Sequence, residues 1–148
     1  MVGFFNDREL LARIIRCEAG GEGENGMRAV ATVVMNRVHV ATGEYLRTGQ
    51  GSLQRVIFQE YQFDCARDTV GGRPNTQNIF NLSPEAIHYE IADWALGGGA
   101  MSGVGESLWY MNPYGPCLEE FPRNGSGTWH NRIGDHCFYR PTPLYALT

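Results

Sequence analysis

Apolar residues recur at helical spacing in several stretches of the chain, and polar punctuation marks where each stretch begins and ends. Leu10, Leu11, Ile14 and Ile15 form one such face. Ahead of it, Asn6 is placed as an N-cap with Glu9 three residues on, a capping-box pattern, and Phe5 and Leu10 stand at hydrophobic-staple spacing. The helix is predicted to start near Asp7 and to stop at Gly20 and Gly21. Glu18 lies four residues after Ile14 and seven after Leu11, so it shares their inward face near the helix end. Few carboxylates are found in such surroundings.

A second helix is predicted over residues 25–38, where Met27, Val30, Val33, Val34 and Val38 make a broad apolar surface with few interruptions. Such a helix is deeply buried, which leaves Asn36 and Arg37 as polar groups needing partners. Glu24 caps or precedes it. A shorter helix is expected within residues 51–58, leading into Tyr61, Gln62 and Phe63, and residues 67–82 read as an irregular surface excursion. Ser83 followed by Pro84 and Glu85 reads as a helix start, with the Ser83 hydroxyl as cap and Pro84 in the first turn. That helix runs to about Leu96, stops at Gly97, and sets Ala86, Tyr89, Ala92 and Leu96 on one face, with Asp93 at its surface edge. Two β-like stretches follow, 107–112 and 136–140, separated by a loop rich in Gly, Pro and Asn. The fold class is α+β, mainly α, with a small antiparallel sheet near the C-terminus.

Composition narrows the function classes. At 148 residues, with 43% hydrophobic and 19% charged, the chain has the make-up and size of one globular domain spanning 1–148. A formal charge of −4 and scattered basic residues offer no footprint for nucleic acid. No stretch approaches the roughly 20 apolar residues that cross a bilayer, so no membrane partner is expected. The N-terminus shows no secretory signal pattern. Cys17, Cys65, Cys117 and Cys137 contain no CxxC pair, which argues against zinc-ribbon and thioredoxin readings. Free thiols and one disulfide stay open as alternatives.

The chemistry centres on Glu18. Glycoside cleavage needs a carboxylic acid still protonated near neutral pH, and both burial and the negative end of a helix dipole favour that form. Glu18 meets both conditions, although an ion pair with Arg37 would account for it equally well. Glu22 offers either a second carboxylate or an acceptor that folds the loop. Sugar grooves combine aromatic faces with amides, which singles out Gln62, Phe63, Tyr110 and Asn112. In a strand, Tyr110 and Asn112 share one side, while Trp109 on the other side reads as core. His136 is expected as a hydrogen-bonded residue near the groove. Its irregular spacing from His130 and the cysteines demands no metal site, and no cofactor is expected. A nucleophilic pair of a histidine with Cys17 or Cys137 is the other enzymatic reading, though no motif surrounds either thiol.

The run CEAGGEGENGMRAVATVVMNRV resembles the E-A-x-G-E segment, buried helix and N-R ending of the SleB/CwlJ cell wall hydrolases. VIFQEYQF is similar to the family's V-I-Y-Q segment, and SLWYMNP and IGDHCFYRP to its closing Y-x-N-P and G-x-H-x-F elements. The ordered likeness runs from Leu11 to Pro141 and is most similar to the CwlJ branch. One departure is Gly20, where the family often carries a larger or charged residue. The resemblance implies a lysozyme-like helical core and one catalytic glutamate, which falls on Glu18. It also implies peptidoglycan of the spore cortex, containing muramic lactam, as substrate, a place in the spore coat or outer spore layers, and a spore-coat protein partner. Activation by calcium dipicolinate is implied too, though no D-x-D-x-D-G loop is present. With no convincing second carboxylate, the chemistry expected is that of a lytic transglycosylase. The alternatives are a hydrolytic muramidase or glucosaminidase, a phage or vegetative-cell lysin, and a non-catalytic glycan-binding coat module.

Overall fold

The computed structural model describes residues 2–148 and is mainly helical, with two small antiparallel sheets. Helix α1 spans Asp7–Ala19, and the Asn6 side chain accepts from the Glu9 N–H at 2.8 Å, as the capping pattern predicts. The Glu9 carboxylate does not turn back to complete the box. It accepts from the Tyr89 hydroxyl and lies 3.5 Å from Arg13, so a tertiary contact has replaced a local one. Gly20 closes the helix, its N–H donating to Arg16 O.

Helix α2, Gly23–His39, starts two residues earlier than predicted, so Glu24 belongs to its first turn and pairs with Arg28 at 2.8 Å. Its burial is as expected: Met27, Val30, Val33 and Val34 are in the core. Helix α3, Gly43–Gly49, was not predicted, and α4, Leu53–Phe58, was. Gly43 has φ +72°, and a Cβ there would meet the Tyr145 ring at 2.5 Å, so this turn requires glycine twice over. The excursion at 67–82 holds the two-residue strands β1, Thr69–Val70, and β2, Arg73–Pro74, joined through Gly71 and Gly72. It is less superficial than expected, because Asn78 and Ile79 are buried.

Helix α5, Ala86–Leu96, is capped by Glu85 and not by Ser83. Glu85 accepts from the third helical N–H while its own N–H donates to His88 Nδ1 at 2.9 Å. The inward face also differs in part from the expected one. His88, Ile91, Ala92 and Ala95 face inward, whereas Ala86 and Leu96 are exposed. Asp93 is exposed, as expected, and is bound by Arg8 at 2.7 Å.

The C-terminal sheet has the order β3-β5-β4, with β3 Trp109–Met111, β4 Gly127–Ile133 and β5 His136–Pro141. β4 lies inside the stretch read as loop. Its pattern is interrupted by an irregularity between Trp129 and Asn131, which breaks the alternation that would reveal a strand. Helices α1, α2, α4 and α5 share one apolar core, and Tyr45, Leu108, Trp109, Tyr139 and Tyr145 form a second against the sheet.

The cysteines correct the sequence reading outright. Both Cys17–Cys65 and Cys117–Cys137 are disulfides, and no free cysteine remains. A thiol nucleophile is thereby excluded. Among the described residues no helix is long and apolar enough to cross a membrane.

Candidate active site

The first disulfide joins the last turn of α1 to the 3-10 turn Asp64–Ala66, and so sets Glu18 beside the segment that follows α4. Asn36 and Arg37, near the end of α2, reach in the other direction. Asn36 Nδ2 donates to Gly105 O and Ser107 O, each at 2.9 Å, and Arg37 Nε donates to Leu108 O at 2.7 Å. The two polar groups left to explain on a buried helix thus anchor the chain just ahead of β3, which carries Tyr110.

Glu18, Arg37, Tyr61, Gln62, Phe63, Asp64 and Tyr110 line one cavity of about 280 Å³. It has the scale of the reacting part of a polymer site, not of a pocket that encloses a whole ligand. A larger cavity of about 510 Å³ lies beside Leu118 and Trp129, but no buried ionisable side chain lines it.

The Glu18 side chain is half-buried and forms no ion pair with any other described residue, nor does its carboxyl take part in a side-chain hydrogen bond. Burial is the main force that pushes its pKa from 4.5 up to about 7; the Arg37 charge opposes this and Asp64 adds to it. Its position in the last turn of α1 acts in the same direction as burial. Arg37 therefore influences the carboxyl from a distance, and the ion pair considered from sequence does not form. Burial, with Glu18 next, also raises the Tyr110 hydroxyl well above the ordinary tyrosine range, so it remains a neutral donor.

Of the residues singled out from sequence, Glu18, Gln62, Phe63 and Tyr110 come together in this cavity. The Gln62 Oε1 accepts from the Tyr45 hydroxyl at 2.8 Å, which leaves its Nε2 to donate elsewhere. Phe63 is 3% exposed and supports the Arg37 guanidinium with its ring. His136 stands edge-on to Tyr110, ring centroids 5.2 Å apart, and its Nδ1 is 4.0 Å from Glu22. His136 therefore neighbours Tyr110 and Glu22 neighbours His136, but neither is among the residues that line the cavity. Asn112 is not among the lining residues; its Oδ1 accepts from the Tyr114 N–H and shapes the turn after β3. Trp109 is core, as expected, at 5% exposure. Sequence reasoning missed Asp64 and Tyr61 as cavity residues. Tyr61 gives no local signal of its φ of +65°, and Asp64 is marked only by its place beside Phe63. No group of three His, Cys, Asp or Glu residues among those described is placed to hold a metal.

Residues 21–139 match the family described as Cell Wall Hydrolase. The chain belongs to the cell wall hydrolase family. The matched span begins just past Glu18. Among relatives, this cell wall hydrolase is 32% identical over 138 residues to the cell wall hydrolase CwlJ of Halalkalibacterium halodurans, covering 92% of this chain and 86% of that one. It is 28% identical over 141 residues to CwlJ of Bacillus subtilis, with the same coverage. Its fold is similar to the catalytic domain of the germination-specific lytic transglycosylase SleB from Bacillus anthracis, with TM-score 0.64, 25% identity, and 93% and 98% of the two chains covered. The catalytic domain of Bacillus cereus SleB matches with TM-score 0.65 and 26% identity over 91% and 90%.

Proposed function

We propose that this cell wall hydrolase cleaves the glycan strands of spore cortex peptidoglycan as a lytic transglycosylase, its 148 residues acting as one catalytic domain with Glu18 as the acid. The observation that carries the reading is the unpartnered, half-buried Glu18 with its pKa near 7 in a cavity beside Tyr110 and Gln62. The likeness to a germination-specific lytic transglycosylase supports the reaction type and the setting. On this reading the protein works at the spore coat or outer spore layers, beside a coat-protein partner.

In the reaction, protonated Glu18 gives its proton to the oxygen bridging N-acetylmuramic acid and N-acetylglucosamine as the bond from that oxygen to the muramic C1 breaks. An oxocarbenium-like centre develops at C1. The C6 hydroxyl of the same sugar then bonds to C1, and the Glu18 carboxylate takes up the hydroxyl proton, which restores the acid and leaves a 1,6-anhydro end. Gln62 Nε2 and the Tyr110 hydroxyl supply donors for sugar oxygens, and Glu22 and His136 border the strand. Asn112 shapes the wall beyond Tyr110 through its turn.

A second reading rests on Asp64. It is a second carboxylate on the same cavity and could position a water for straight hydrolysis. Mass spectrometry of the products from purified cortex separates the two: anhydro-muramic ends support transglycosylation, and reducing ends that disappear in Asp64→Asn support hydrolysis. Glu18→Gln is expected to lose fragment release by at least about 100-fold. Release at the wild-type rate would overturn Glu18 as the acid and favour a role in glycan binding. Equal activity on vegetative cell wall would remove the cortex assignment.

A further inference from the structure

Arg37 is a cation lining the cavity, and the proposed reaction gives it no task. It is 5% exposed. Its Nε is fixed by Leu108 O, and its guanidinium lies over the rings of Tyr45 at 4.6 Å and Phe63 at 5.1 Å. The Nη1 is buried with no hydrogen-bond partner, and no described carboxylate comes within ion-pair distance of the side chain. A permanently charged group held in this way destabilises the fold unless something answers the charge. The two carboxylates on the cavity are Glu18 and Asp64. Asp64 is 74% exposed and already 3.7 Å from Arg67, whereas Glu18 is half-buried and unpartnered.

We propose that Arg37 is a positioning residue whose counter-charge is the Glu18 carboxylate formed when the proton is given to the glycosidic oxygen. The proposal rests on Glu18 as the acid. Before proton transfer Glu18 is neutral and the guanidinium lacks a partner. As the proton leaves, negative charge develops in front of a cation that is already in place. An interaction that is stronger in the transition state than in the ground state is the kind that accelerates the chemical step. The bond to Leu108 O and the two rings also explain why Arg37 does not close on Glu18 beforehand: its strongest local acceptor is a backbone carbonyl. Full contact would keep Glu18 ionised and useless as an acid, and without the cation the carboxyl would hold its proton too tightly to act.

The charged and titratable groups that line the cavity with Glu18 are Arg37 from α2, Tyr61 and Asp64 from the segment after α4, and Tyr110 from β3; His136 meets the Tyr110 ring and lies beside Glu22. Tyr45 from α3 faces Arg37. Of these groups Arg37 alone lowers the Glu18 pKa. Loss of its charge should therefore move the alkaline limb of the rate profile upward.

The test compares pH profiles of wild type, Arg37→Lys and Arg37→Met on cortex glycan, with Glu18→Gln as the reference. In Arg37→Met the limb is expected to move up by about one pH unit, with kcat reduced about tenfold or more and KM little changed. Arg37→Lys keeps the charge and should hold the limb near its wild-type place. If Glu18→Gln is inactive and the limb of Arg37→Met does not move, the Arg37 proposal fails and Glu18 stands. If Glu18→Gln stays active, the reading of Glu18 itself fails. An NMR titration needs no folded variant at position 37. In wild type the Arg37 guanidinium signals should shift with the same midpoint as the Glu18 carboxyl, and signals that stay flat across that midpoint overturn the proposal.

Discussion

Between its ordinary value of 4.5 and its value of about 7 in the cavity, Glu18 binds a proton more tightly in the folded chain than in the unfolded one. The stability gained from that proton is complete below about pH 4.5 and is lost as pH rises to 7, after which the loss is constant. The full span corresponds to about 3 kcal/mol, an upper figure for a half-buried side chain. Glu18→Gln cannot ionise, so it is expected to melt higher than wild type at pH 8 and close to wild type at pH 4.5, as thermal unfolding at the two pH values would reveal. Equal melting temperatures at pH 8 would mean that the site does not hold Glu18 protonated. The same pKa gives a rate that is level below pH 7 on the acid's side and falls tenfold per pH unit above it. At this scale the sequence was informative about Glu18, because an inward helical face and a helix end are local properties. It could not decide between an ion pair with Arg37 and none. The acceptor that holds Arg37 instead, Leu108 O, lies 71 residues away and is a backbone group without a sequence signature.

The elements bring these residues together, and the disulfides do so most directly. Cys17–Cys65 closes a separation of 48 residues and Cys117–Cys137 one of 20, so loop entropy alone makes the first worth about 0.8 kcal/mol more than the second. Position distinguishes them further, since Cys17 adjoins Glu18 and Cys65 adjoins Asp64. Replacing Cys17 and Cys65 by Ser is expected to lower both melting temperature and kcat. Replacing Cys117 and Cys137 should lower melting temperature with a smaller effect on kcat; the reverse ranking in kcat would argue against the first disulfide as a brace for the site. The pairing was not legible because thiols at such spacings meet only through the fold. Local chemistry carried α1 well, with its cap and its glycine stop where the pattern put them. It misplaced the start of α5, where Ser83 and Pro84 gave a strong signal but Glu85 and His88 satisfy each other's backbone groups reciprocally. Glu85→Ala is accordingly expected to cost about 1 kcal/mol in chemical denaturation. α3 was missed because it is short and only Tyr45 and Gly49 within it are buried, too few to form a periodic face.

Across the whole molecule, the cavity lies where the helical core meets the sheet: Glu18, Gln62 and Phe63 come from the helical side and Tyr110 from β3. The joint between the two is narrow in chemical terms, because Asn36 and Arg37 hold three carbonyls of the segment 105–108. Register then carries the constraint through the sheet, with Tyr110 opposite Phe138 and Met111 opposite Cys137. A change at this joint should therefore alter the geometry between acid and groove without unfolding either part. Asn36→Ala removes the donor to Gly105 O and Ser107 O and is expected to cost about 1–3 kcal/mol. Glu85→Ala provides the comparison, since it destabilises by a similar amount through a helix cap that holds none of those three carbonyls. If general loss of stability governs activity, the two variants will lose activity alike when assayed well below their melting temperatures. If the joint positions Tyr110 against Glu18, Asn36→Ala will lose kcat by about tenfold or more while Glu85→Ala keeps it, and far-ultraviolet circular dichroism will show the helices of both intact.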